Sequence, residues 1–129
     1  MQGPQFKQSL KVRRFAAGQV QRVTITQAAA VNADGEICPG LALDAGRVEY
    51  FVKHAKAVSE RDYFKAHHVF NDCSAVARVK FKNGRAAEYR LDAGGTAILT
   101  PVVIGKATKT LYYYYCENCS GFLRSDFKP

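Results

Sequence analysis

The chain has 129 residues, a formal net charge of +8 and a 47% share of hydrophobic residues. That length fits one domain able to fold unaided, and the apolar share excludes a disordered chain. No stretch approaches the roughly 18 apolar residues of a membrane-spanning helix, and Met1-Gln2-Gly3-Pro4-Gln5-Phe6-Lys7 lacks the apolar centre of a secretory signal.

The charge is uneven. Lys7, Lys11, Arg13, Arg14 and Arg22 precede the first acidic residue, Asp34, so residues 1–33 carry +5 and the remainder +3. Such a segment is either a solvated arm or an electrostatic contact for nucleic acid, anionic lipid or an acidic protein. Residues 1–18 are expected to be a loose basic arm on a single domain of residues 1–129. Residues 19–27 alternate Arg22, Thr24 and Thr26 with Val23 and Ile25, the pattern of a half-buried strand. Turn-forming residues follow at 32–36 and again at Cys38-Pro39-Gly40.

Val48, Phe51, Val52, Ala55 and Val58 recur at helical spacing, with Asp44 as N-cap. Ser59 ends this helix or caps a second short helical turn through Phe64. From Cys73 onward the pattern turns to strands. Ala75, Ala77, Val79 and Phe81 share one face, and so do Ala87, Tyr89 and Leu91. A two-residue turn at Asn83-Gly84 would set Val79 against Glu88. A three-residue loop, Lys82-Asn83-Gly84, sets Val79 against Ala87 and requires positive φ at Gly84. The hydrophobic pattern selects the second. Thr96–Thr100 and Thr110–Cys116 supply two further strands. The expected fold is α+β: an antiparallel meander of about four strands from about Ala75 to Tyr115, one main helix packed on one face, and an N-terminal strand.

Four cysteines, Cys38, Cys73, Cys116 and Cys119, each fall at an element boundary. Structural disulfides in an oxidising compartment, a four-thiolate zinc site and a redox-active Cys116-Glu117-Asn118-Cys119 motif all remain open. Disulfides are preferred because the count is even and only one half of a zinc signature is present. In a four-strand meander Cys73 and Cys116 lie too far apart for a direct bond. The expected pairing joins Cys38 and Cys73 each to one of Cys116 and Cys119, since a Cys116–Cys119 bridge closes a very short loop.

His67 and His68 stand near Asp72 and Cys73, where a thiol and its base could meet. Adjacent histidines in a connection are more often surface residues. No phosphate loop or nucleophile elbow is present, so neither enzymatic activity nor a cofactor nor a resident metal is expected. Tyr112, Tyr113, Tyr114 and Tyr115 are consecutive. On a strand with Leu111, Tyr113 and Tyr115 turned to the helix, Tyr112 and Tyr114 face outward beside Arg78, Lys80 and Arg90. That arrangement is an aromatic-basic binding face suited to a protein partner or to single-stranded nucleic acid.

The helix from Val48 to Val58, the Asn71-Asp72-Cys73 step, the Phe81-Lys82-Asn83-Gly84-Arg85 hairpin and the closing Tyr114-Tyr115-Cys116-Glu117-Asn118-Cys119 together resemble a group of small bacterial envelope proteins, some encoded beside secreted toxins. The resemblance covers roughly residues 41–119. It implies a periplasmic protein-binding domain, an immunity or inhibitor protein that neutralises a toxin or envelope enzyme. The alternative expectation is a cytoplasmic, zinc-stabilised or single-strand-binding domain.

Overall fold

The computed structural model describes residues 12–66 and 73–128. Eight strands form one sheet: β1 (Val20–Val31), β2 (Ile37–Ala42), β3 (Lys56–Val58), β4 (Ser74–Phe81), β5 (Ala86–Asp92), β6 (Thr96–Val103), β7 (Lys106–Ala107) and β8 (Tyr112–Tyr115). Among the described residues there are also two helices, α1 (Ala45–His54) and α2 (Glu60–Ala66), and a closing 3-10 turn at Glu117–Cys119. The order across the sheet is β2-β1-β4-β5-β6-β8-β3, and β7 pairs with β6 off this path. Every pairing is antiparallel.

This corrects the expected four-strand meander with one main helix. Strands β1, β4, β5, β6 and β8 occur where the sequence indicated strands, but β2, β3 and β7 widen the sheet beyond them. The physical reasons are local. Strand β2 contains Pro39 and Gly40, which read as a turn; on an edge strand a missing N–H is tolerated. Strand β3 has three residues and was concealed in the helical stripe. Helix α1 stops at His54, Ala55 turns extended (φ −74, ψ 150), and Val58 belongs to the sheet.

Other local expectations match the backbone. The Asp44 side chain accepts from the Arg47 N–H at 2.8 Å and caps α1. The Ser59 hydroxyl accepts from the Asp62 N–H at 3.1 Å and caps α2. Val79 pairs with Ala87 and Ala77 with Tyr89. Gly84 sits at φ 90 in the three-residue loop, where no Cβ is tolerated without strain.

Directly opposed residues share a face of a sheet, so register fixes the two surfaces. One face carries Ala75, Ala77, Val79, Phe81, Ala87, Tyr89, Leu91, Ala97 and Leu99, all buried. Val48 and Phe51 of α1 cover it, with Phe122 and Leu123 from the C-terminal segment. The Arg47 guanidinium clamps that segment, donating to the carbonyls of Phe122 and Arg124, both at 2.7 Å. From the N-terminal side, residues 12–18 cross the same face. Phe15 is buried against Phe81 and Tyr112, its N–H donates to the Tyr114 hydroxyl at 3.0 Å, and Arg13 donates to the Leu111 carbonyl. Among the described residues no helix is long and apolar enough to cross a membrane.

Among the described glycines, Gly95 leaves least room for a side chain. It has φ +100, and a Cβ there would lie 2.8 Å from the Cys116 carbonyl oxygen. Gly95→Ala combines left-handed strain with a backbone clash, so it should lower stability by roughly 2–3 kcal/mol, read as a lower urea midpoint.

Candidate recognition surface

The four cysteines form two disulfides, Cys38–Cys73 with Cα atoms 6.3 Å apart and Cys116–Cys119 with Cα atoms 5.2 Å apart. The expected cross-pairing is therefore corrected. Strand β2, absent from the expected fold, brings Cys38 to Cys73. The 3-10 turn brings Cys119 back over Cys116, with the Cys119 N–H donating to the Cys116 carbonyl at 3.1 Å. With all four sulfurs bonded there are no thiolates for zinc. Cys116 and Cys119 are also fully buried, unlike the partly exposed sulfurs of redox-active pairs. Two disulfides place the chain in an oxidising compartment. His67, His68 and Asp72 lie outside the described residues, and Cys73, as a disulfide, is no nucleophile. Among the described residues no group of three or more His, Cys, Asp or Glu is arranged to hold a metal.

The face opposite α1 is the open one. Its residues form cross-strand rows. Arg22, Lys80, Ala86 and Val102 make the first; Thr24, Arg78, Glu88 and Thr100 the second; Val76, Arg90, Ile98, Tyr113 and Val58 the third. Arg78, Lys80 and Arg90 thus share the open face. Tyr112 and Tyr114 do not. They oppose Leu99 and Ala97 and pack against the core. The tyrosines that face outward are Tyr113 and Tyr115, the reverse of the expected assignment. Leu111, used to set that parity, precedes the strand and is exposed.

Arg78 is held on both sides. Its Nε donates to Glu88 Oε1 at 3.1 Å and Nη1 to the Gly105 carbonyl at 2.9 Å. It therefore braces the β6–β7 turn. Lys80 and Arg90 are exposed and make no ion pair among the described residues.

Helix α2 lies over the β8 side of the open face. Tyr63 and Tyr113 have ring centroids 5.0 Å apart, and Phe64 approaches Tyr63 at 5.0 Å and Tyr113 at 6.3 Å. Tyr63 is buried, whereas Phe64 is 58% exposed. Arg90 stands in the Tyr113 row, one strand beyond Ile98. Phe64 and Tyr113 were not among the sequence candidates. Their signal was the short α2 pattern itself, which places an exposed aromatic beside a buried one.

Burial also governs the tyrosine hydroxyls. Tyr89 is pushed well above its ordinary value of 10.0, first by burial and then by its neighbour Tyr114. Tyr63, Tyr113 and Tyr114 are raised too, chiefly by burial. A raised folded-state pKa means the folded chain holds its proton where the unfolded chain has lost it. The stabilisation is complete below about pH 10 and is lost as pH rises through the folded values. Alkaline titration should show stability falling above about pH 10, and Tyr89→Phe should blunt that fall.

The chain matches no family model, no curated protein and no solved structure.

Proposed function

We propose that this domain is a non-enzymatic recognition module of the periplasm that binds another protein, a toxin or an envelope enzyme, and neutralises it. The carrying observation is the patch of Tyr63, Phe64 and Tyr113 on the open sheet face, in the cross-strand row that also carries Arg90 beyond Ile98. Tyrosine and arginine dominate the residues whose truncation costs most at protein interfaces, and an exposed aromatic seated on a buried one is a rigid anchor. The two disulfides support an oxidising compartment such as the periplasm.

The test is capture of partners from the native organism on immobilised protein, followed by salt titration. A protein partner should be recovered, should resist salt, and should bind Phe64→Ala and Tyr113→Ala at least 2 kcal/mol more weakly. Recovery of nucleic acid alone, with affinity falling log-linearly with salt, would replace this reading with the single-strand one.

A further inference from the structure

The β6–β7 hairpin turns on Ile104 and Gly105, both at positive φ (51 and 76). Such a two-residue turn favours Asn-Gly; a β-branched residue there is strained. Ile104 nevertheless stands 96% exposed, and Val103 beside it 56% exposed. An isoleucine that is strained and solvated gains nothing within the fold. Behind this tip lies a cleft of about 390 Å³ lined by Arg22, Arg78, Lys80, Val102 and Ile104. Arg22 and Lys80 are directly opposed across β1 and β4, a like-charge pairing that destabilises a sheet. Glu88 is engaged by Arg78, and neither Arg22 nor Lys80 has an ion-pair partner among the described residues.

The wider charge pattern points the same way. Three segments meet at this end, 12–22, 78–88 and 100–111. They contain three, four and two cations respectively, and Glu88 is their one carboxylate.

We propose that this end of the domain docks on an anionic bilayer surface, with Val103 and Ile104 entering the acyl boundary and lipid phosphates seated in the Arg22–Lys80 cleft. The order in space carries the choice of partner. Val103 and Ile104 are exposed at the end of a hairpin, and the cations lie on the strands that lead to it. A bilayer presents the complementary order, phosphate outside hydrocarbon. A nucleic acid would require aromatic stacking among these cations, but the outward tyrosine Tyr113 lies two rows away. Docking is independent of the protein-binding patch on α2 and β8.

The test is flotation with vesicles of phosphatidylcholine and phosphatidylglycerol in equal parts, against vesicles of phosphatidylcholine alone. The intact protein should float with the anionic vesicles, lose binding as salt rises, and ignore the neutral ones. Ile104→Asn suits the turn and preserves folding, confirmed by its thermal transition; it should weaken binding roughly tenfold or more. Arg22→Gln combined with Lys80→Gln should remove the preference for anionic vesicles. The chain has no tryptophan, so Ile104→Trp gives a single emission that should shift to the blue on anionic vesicles. Absence of binding to anionic vesicles, equal binding to neutral ones, or full binding by Ile104→Asn overturns the proposal. So does a tryptophan emission that responds to an acidic peptide and not to the vesicles.

Discussion

Replacing both Cys38 and Cys73 with alanine should lower the unfolding free energy by about 4 kcal/mol. The bond closes a sequence separation of 35 residues, and loop-closure entropy scales with the logarithm of that separation. For a domain of this size the loss corresponds to a melting temperature lower by roughly 15 °C. Removing Cys116–Cys119, separated by three residues, should cost only about 2 kcal/mol on the same reasoning. Parallel denaturant titrations of the two double variants check both values. Equal losses would show that buried-sulfur packing outweighs chain entropy. Reduction of the native protein should reproduce the sum, because the two bridges tie different parts of the fold. Cys38–Cys73 joins edge strand β2 to the start of β4, and Cys116–Cys119 closes the turn after β8.

Phe51→Ala should cost about 4 kcal/mol, within the range measured for phenylalanine truncations in cores. Phe51 is completely buried and touches both layers of the core, with ring centroids 5.8 Å from Phe122 and 6.4 Å from Tyr89. Truncation leaves a cavity between the helix, the sheet and the C-terminal segment. None of the three can collapse freely, since Arg47 and the sheet hydrogen bonds fix their positions. Val52→Ala, on a half-buried position of the same helix, should cost about 1 kcal/mol or less. A guanidinium titration with unchanged slope separates the two and shows that the loss lies in the native core. A small Phe51→Ala effect would mean that α1 contributes little to the core.

The start of α1, the Ser59 cap and the central hairpin were legible because each depends on contacts between near neighbours. Asp44 three residues before Arg47, and Ser59 three before Asp62, are capping arrangements within one helical turn. The Lys82-Asn83-Gly84 loop followed from apolar residues on both its flanks, because a one-residue slip would have turned every one of them over. The tyrosine run carried no such information. Four identical residues give the same alternation in either orientation, so Tyr112 and Tyr114 were free to face either way until Leu99 and Ala97 opposed them. The outward orientation was thus assigned to the wrong pair, while Arg78, Lys80 and Arg90 stood on the open side as expected.

The cysteine pairing failed for a related reason. A four-strand sheet lacks β2, and only the three-dimensional position of that edge strand sets Cys38 beside Cys73. By itself the sequence determined the alternation of β4 and β5, the turn between them, the helix caps, the even cysteine count and the concentration of charge toward the N-terminus. All of these are properties of residue type at short separation. The tertiary structure decided the width of the sheet, the outward tyrosine, the partners of the cysteines, and the meeting of Arg22, Lys80 and Ile104 at one end. Those depend on residues tens of positions apart, whose proximity is set by register across several strands and is not encoded in any local pattern.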